Sequence, residues 1–213
     1  KGLKEKYVCV FDADDNPMPE FLKVVVPIIE RDEKIAFVQT PQFYSNLETS
    51  RVARASAFQQ AVFYEYICEG KSVADAMFCC GTNLILRVQA LRDVGGMDES
   101  TVTEDFATSL LMHARGWKSY YYGHVCTFGL GQEDLRGYFT QQFRWANGTI
   151  AVFFKLLKIV FIRPFALTPV QIWEYLLSGT YYFVGMAYFF KCEFNLCLTF
   201  FTTSLMFQSA FTK

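Results

Sequence analysis

Apolar positions follow two regimes along this chain: short runs bounded by polar residues up to about residue 130, and long runs after it. Residues 7–11, Tyr-Val-Cys-Val-Phe, are continuously apolar and end in acids. Such a run predicts a buried central strand rather than a half-exposed one. Residues 19–30 predict a helix that Pro27 kinks or stops. Residues 35–40 predict a second strand, closed by Pro41. From about residue 49 to 69, Val52, Phe58, Val62, Phe63 and Tyr66 fall on helical steps, with Gly70 as terminator. Residues 83–87 predict a strand, and residues 91–94 lead to a Gly95-Gly96 turn. Thr103 opens a helix with Phe106, Ala107, Leu110, Leu111 and Ala114 on one face and Gly116 at its end. Residues 120–122 predict a further strand. In an open α/β sheet of this kind, ligands bind beyond the carboxyl ends of the strands.

The last third reads differently. Residues 135–154 are amphipathic, with Leu135, Tyr138, Phe139, Gln142 and Trp145 on helical steps, which predicts a helix lying along a membrane surface. Residues 170–190 then carry a single charge, Glu174, and residues 194–212 carry none. Each stretch approaches the roughly 20 residues that cross a bilayer. The link Lys191-Cys192-Glu193 is short enough only for a tight helical hairpin, so two transmembrane helices are expected. Lys155, Lys158 and Arg163 before the first of them put that side in the cytosol. The competing reading is two buried helices of a soluble domain. The expected organisation is an α/β domain over 1–133, an interfacial helix over 134–165 and a membrane pair over 166–213. There is no internal repeat.

Composition narrows this picture. Of 213 residues, 52% are apolar and 18% aromatic, too greasy at one end for an ordinary soluble domain. A net charge of −1 gives no reason to expect a nucleic-acid partner. Seven cysteines without a C-x-x-C pair fit reduced, mostly buried thiols rather than a disulfide framework. No Cys/His cluster has zinc spacing. The two histidines, His113 and His124, sit near no nucleophile elbow, so base chemistry falls to a carboxylate. The chain opens on Lys1-Gly2-Leu3, almost directly into a strand, and the earlier strands of a nucleotide-binding sheet are expected to be missing.

Three motifs carry chemistry. Asp12-Ala13-Asp14 ends the first strand, and two carboxylates there suit Mg2+ or Mn2+ bound together with phosphate oxygens. An acidic turn ahead of Asn16-Pro17 is the plain alternative. Thr103-Glu104-Asp105 offers a carboxylate base, or ordinary capping with Thr103 as N-cap and two acids on the positive helix end. The helix N-terminus favours an ionised Asp105. Gln141, Arg144 and Trp145, at i, i+3 and i+4, share a helix face. Arg144 can pair with a diphosphate and Trp145 can lie against a pyranose, or Trp145 can simply sit at lipid headgroup level. Phe78-Cys79-Cys80-Gly81-Thr82 reads by itself as a small apolar turn, and Gln39-Thr40-Pro41 as a strand end.

Taken together, the order D-x-D, T-E-D, Q-x-x-R-W resembles processive family 2 glycosyltransferases, the cellulose, chitin and hyaluronan synthases. Gln39-Thr40-Pro41-Gln42-Phe43 is similar to their Q-T-P-x-F segment. Residues 78–82 resemble F-F-C-G-[ST], with Cys79 in place of the second Phe. Gly95-Gly96-Met97-Asp98 followed by Val102-Thr103-Glu104-Asp105 is similar to G-G-[FM]-x…V-T-E-D, and Leu167-Thr168-Pro169 is similar to the segment after Q-x-x-R-W in bacterial cellulose synthases.

The resemblance implies a GT-A-type (Rossmann-like) cytosolic domain flanked by transmembrane helices. It implies Asp12 and Asp14 at the metal and UDP diphosphate, and Asp105 as base with Glu104 supporting the helix end. Gln141 and Arg144 would meet the diphosphate and Trp145 the acceptor sugar. Cys80, Gly81 and Thr82 would line the acceptor end. The implied partners are a UDP-sugar donor, a growing polysaccharide, the lipid bilayer and other chains of a synthase complex. The family's earlier acidic motif, on the uracil and ribose side, is absent, so the stretch alone is expected to bind UDP-sugar poorly and make no polymer. Phe106 after Asp105 leans toward glucan synthases and UDP-glucose. A chitin or hyaluronan synthase using UDP-N-acetylglucosamine, a non-catalytic scaffold and a phosphatase built on Asp12 and Asp14 are the competitors.

Overall fold

The computed structural model describes the backbone of residues 4–211 and the side chains of residues 4–194. In chain order the elements are β1 (Tyr7–Val10), β2 (Asn16–Pro17), α1 (Phe21–Ile29), β3 (Ile35–Gln39), β4 (Phe43–Tyr44) and α2 (Arg51–Val62). A π-helical turn (Phe63–Ile67) joins α2 to α3 (Cys68–Val73). Then follow β5 (Leu84–Arg87), α4 (Val88–Val94), α5 (Glu104–His113), β6 (Lys118–Tyr121), β7 (Thr127–Gly129), α6 (Leu135–Ile162) and α7 (Pro169–Phe211).

The main sheet has the order β1-β5-β3-β6. β5 runs antiparallel to both β1 and β3, and β3 pairs parallel with β6. Strands β1, β3 and β6 therefore end on the same rim, where β5 begins. That rim gathers Asp12, Thr40, Tyr122 and the residues just before Leu84. A small second sheet, β2-β7-β4, lies over the rim and folds the loop after β1 back on itself. One face of the main sheet is covered by α1 through Phe21, Val25, Ile28 and Ile29. The other carries Tyr64, Cys68, Met77, Leu91 and Met112. A third apolar cluster joins α5 to α6 and α7 through Phe106, Leu110, Val152, Leu156 and Tyr175.

Several expectations change here. β1 is an edge strand among the described residues, and its four residues are half-buried. Gly70 does not end its helix. It lies inside α3, which closes at Ala74 before Asp75 takes a positive φ of 52°. Pro27 lies inside α1, which ends two residues later. Gly116 follows the end of α5 in the left-handed region, at φ 79°.

The hairpin expected at Lys191-Cys192-Glu193 is not formed: α7 runs through it without a break. None of the three residues is a helix breaker, and three polar residues do not stop a helix whose backbone bonds are intact. The antiparallel pair is instead α6 with α7, turned at residues 163–168, with Phe153 stacked against Gly179 and beside Phe183. The second apolar stretch, residues 194–212, lies beyond Phe194 outside the residues whose side chains are described. Among the described residues one helix, α6, is long and apolar enough to cross a membrane by length and composition. At about 1.5 Å per residue, α6 is roughly 42 Å long.

Candidate active site

The cleft is organised around residues 78–82, which every nearby element grips. Gln39 is fully buried at the end of β3. Its Nε2 donates to the carbonyls of Thr40 at 2.9 Å and Thr82 at 2.8 Å, while its Oε1 accepts from the Cys80 N–H at 2.9 Å. The Cys79 N–H donates to Ser109 Oγ at 2.8 Å, and that hydroxyl donates to the Asp105 carbonyl at 2.8 Å. Residues 78–82 are thus tied to the first turns of α5. Cys80 and Gly81 are half-buried, whereas Thr82 is buried and turns away from them. Its hydroxyl accepts from the Asp12 N–H at 3.0 Å and donates to Asp15.

Asp12 and Asp14 are exposed on the loop after β1. The loop is shaped by its own acids: the Asp12 N–H donates to Asp15 Oδ2 at 3.1 Å, and Asp14 Oδ2 accepts from the Leu130 N–H at 3.1 Å. Gln42 Nε2 donates to Asp15 Oδ1 at 3.2 Å. Partial desolvation, then the charges of Asp15 and Asp14, push the Asp12 carboxyl above its ordinary range, and Arg144 pulls it down. Like charges held together in this way are relieved by a bound cation. Among the described residues no three Asp, Glu, His or Cys side chains converge into a metal cage. Two carboxylates that leave the remaining positions to phosphate and water are the donor set magnesium-type ions favour. The residues present therefore fit a divalent cation shared with a diphosphate.

Asp105 sits in the first turn of α5, with its Oδ2 only 3.1 Å from where a Cβ on Gly81 would lie. Gly81 has φ 81°, so glycine is needed there twice, for the backbone and for the room. Burial pushes the Asp105 carboxyl up to about 6. Its own and the Phe106 N–H groups and Arg144 oppose the shift, and Glu104 adds to it. Burial thus outweighs the helix N-terminus that was expected to govern this group. Glu104, beside it, is exposed. Thr103 occupies the N-cap position but its side chain makes no capping bond, and its hydroxyl has no hydrogen-bond partner. Its side chain faces α6 instead, where Gly148 approaches so closely that a Cβ there would collide with Thr103 Oγ1.

That contact brings the third motif in. Arg144 and Trp145 lie one turn before Gly148 on α6 and Gln141 two turns before it, with Gln141 and Trp145 half-buried and Arg144 exposed. Arg144 acts electrostatically on both Asp12 and Asp105, so the three motifs share one cleft. Gln141 and Arg144 also line an open cavity of about 420 Å³ with Gln132, Asp134, Arg136, Gly137 and Thr140. Asp134 caps α6 through the Gly137 N–H at 2.7 Å. Tyr138 holds α6 to α2 by donating to Gln59 Oε1 at 2.7 Å, and Lys155 holds it to Asp98.

Sequence reasoning missed Gln39, Asp15 and Gly148 as parts of the site. A polar residue ending an apolar strand, a third acid beside D-x-D and a glycine inside a helical pattern were the signals available.

The chain is a mixed α/β domain with acids on a strand-end rim and the Arg144 helix beside them, and its likeness to a solved glycosyltransferase supports a GT-A-type fold. The structure of a mannosyltransferase from Pyrobaculum calidifontis in complex with GDP-Man and Mn2+ superposes with a TM-score of 0.57 at 17% identity, over 81% of this chain and 45% of that one. The family model described as Glycosyl transferase family group 2 matches residues 7–209, and the chain belongs to this family. It is 39% identical over 150 residues to a UDP-forming cellulose synthase from Dictyostelium discoideum, covering 70% of this chain and 14% of that protein. It is 37% identical over 157 residues to the UDP-forming cellulose synthase of Komagataeibacter sucrofermentans, covering 72% and 21%. Both relatives are the catalytic chains of their synthases. The chain thus spans about a fifth or less of the length of these relatives.

Proposed function

We propose that this chain carries the acceptor and base side of a membrane-embedded, inverting glycosyltransferase that moves glucose from UDP-glucose to the end of a growing β-glucan. The observation that carries the reading is Asp105: a half-buried carboxyl with a pKa of about 6, seated on Gly81 and within the field of Arg144. At neutral pH such a group is mostly ionised, and it is basic enough to take a proton from an attacking hydroxyl. Direct attack with one base inverts the anomeric centre.

Asp12 and Asp14 would hold Mg2+ or Mn2+, which neutralises charge on the departing diphosphate. Arg144 and Gln141 would bind the same diphosphate from α6. Trp145 would lie against the acceptor sugar, and Cys80 and Gly81 would shape the acceptor end. The names of the relatives, cellulose synthases described as UDP-forming, support glucose as the sugar. The Mn2+ named in the mannosyltransferase complex supports a divalent cofactor.

A bilayer setting is supported by the apolar length of α6 and by its exposed Phe139, Phe143 and Phe161. It is supported further by Tyr181, Val184 and Phe190 exposed on α7. The α/β part would face the cytosol.

The test uses the full-length parent in membrane vesicles with magnesium. Labelled UDP-glucose should enter insoluble polymer, and Asp105→Asn should abolish it. Incorporation from UDP-N-acetylglucosamine instead would move the protein to the chitin or hyaluronan branch. Incorporation from neither, with no protection of the protein by UDP and magnesium, would leave a scaffold role.

A further inference from the structure

Toward the α/β domain α7 turns Gln171, Glu174 and Tyr175, the i, i+3, i+4 spacing of one helix face. Each of the three reaches a different group. Gln171 Nε2 donates to the Asp75 carbonyl at 2.7 Å. Lys71 Nζ donates to Glu174 Oε2 at 3.0 Å and to the Glu174 carbonyl at 3.1 Å. The Tyr175 hydroxyl meets His113 Nδ1 at 2.7 Å, and His113 Nε2 meets Ser119 Oγ at 3.0 Å. The ion pair is withdrawn from water, with side-chain exposures of 6% for Lys71 and 22% for Glu174.

The partners frame the reacting end of the cleft. Lys71 lies in α3 and Asp75 just beyond it, where the chain runs directly into residues 76–82. His113 closes α5, whose first turn holds Asp105. Rings bridge the same elements: Phe78 to Phe106 at 4.3 Å, Phe106 to Tyr175 at 5.7 Å, and the Lys71 ammonium over Phe78 at 5.8 Å.

A buried ion pair returns little net stability, because desolvation offsets most of its Coulombic gain. Its better attested use is to fix register. The seam between α6 and α7 is apolar, and apolar burial is non-directional, so it does not by itself fix the height of α7. Three directional bonds from one face of α7 to Asp75, Lys71 and His113 fix that height against the α/β domain.

We infer that Gln171, Glu174 and Tyr175 form a register latch, and that Glu174 and Lys71 are positioning residues. Through them α7 sets the height of residues 78–82 and of the first turn of α5, and so the approach of the acceptor hydroxyl to Asp105. The catalytic consequence rests on the transferase reading; the contacts themselves do not.

The experiment compares Glu174→Gln, Lys71→Met and the swap Lys71→Glu/Glu174→Lys in the full-length parent in vesicles. Turnover per folded enzyme should fall at least tenfold in each single variant, with UDP inhibition constants within twofold of wild type, and the swap should recover a substantial part. Hydrogen exchange supplies a readout independent of activity. In Glu174→Gln the peptide covering residues 77–82 should exchange at least fivefold faster, while β3 and β5 stay protected. Unchanged exchange there, an increase spread evenly over the sheet, or UDP affinity lost in step with turnover would each overturn the latch. If the wild-type parent transfers no sugar, the proposed reaction has failed, and the exchange pattern alone decides the latch.

Discussion

The two ends of the cleft hold carboxylates in opposite surroundings. Asp12 and Asp14 stand exposed on a loop held by short strands and by its own acids. Asp105 is packed against Gly81, and its backbone is bound through Ser109 into the densest hydrogen-bonded part of the rim. On the proposed reading the same functional group serves two purposes. Desolvation leads at both Asp12 and Asp105, but at Asp12 it is partial and the charges of Asp15 and Asp14 add to it, a repulsion that a cation would remove. Location on the rim, more than residue type, would then separate the proposed metal ligands from the proposed base.

The sharpest way to break this comparison is to neutralise one acid at each end in the full-length parent. Asp105→Asn should lower transfer by about 10²–10⁴-fold, the usual worth of a general base, and leave UDP affinity unchanged. Asp12→Asn should do the reverse, weakening magnesium-dependent UDP binding, measured by calorimetry, before any chemistry is reached. Equal loss of UDP affinity in both variants would erase the distinction.

A smaller effect tests the rigidity of the base end. Gln39→Met keeps the volume of the side chain but removes its hydrogen bonds to the Cys80 N–H and to two carbonyls. Leaving buried groups unpaired costs roughly 1–3 kcal/mol each when nothing replaces the bond, so about 3 kcal/mol is expected in total after relaxation. Denaturant unfolding measures it. Gly81→Ala places a methyl at φ 81° against Asp105. It should cost about 1–2 kcal/mol from the left-handed backbone alone. Turnover should fall further than that cost explains, because the base is displaced. A Gly81→Ala variant with wild-type turnover would mean that Asp105 is not held against residue 81.

The sequence exposed this contrast unevenly. The strands β3 and β5 and the helix α5 were legible because apolar runs and capping acids are local signals. The order of strands was not, since pairing β1 and β3 to opposite sides of β5 is a long-range choice. Residues 7–11 consequently looked central although β1 lies at an edge. Gly70 looked like a stop, yet its backbone stays helical while the π-helical turn before it, residues 63–67, shifts the facing of everything after it. Lys191-Cys192-Glu193 looked like a turn because polarity was read as a break, when nothing in it interrupts helical bonding. In the site, the acids and Arg144 announce themselves by charge. Gln39 and Gly148 do not, because their roles consist of what they touch.

An effect of similar modest size concerns stability against pH. The Asp105 carboxyl lies at about 6 in the folded chain and near 3.9 when unfolded. Between those values the folded state holds a proton that the unfolded state has lost, so stability falls as pH rises from about 4 to about 6 and is flat above. The stabilising contribution of the protonated carboxyl is complete below the unfolded value and gone above the folded one. Asp105→Asn removes the dependence. At 1.36 kcal/mol per unit, and allowing for partial solvent screening, the variant should be about 2 kcal/mol more stable than wild type at pH 8 and no more stable at pH 3.5. Thermal unfolding of the metal-free protein across that range reads the difference directly. Turnover of the wild type should fall below about pH 6 over the same interval, as the base takes up its proton. If the activity falls there and the stability difference does not appear, the titrating group is an acid other than Asp105. If both appear together, Asp105 is the source: the raised Asp12 carboxyl adds a pH dependence of the same sign, but that contribution is common to wild type and Asp105→Asn and cancels in their difference.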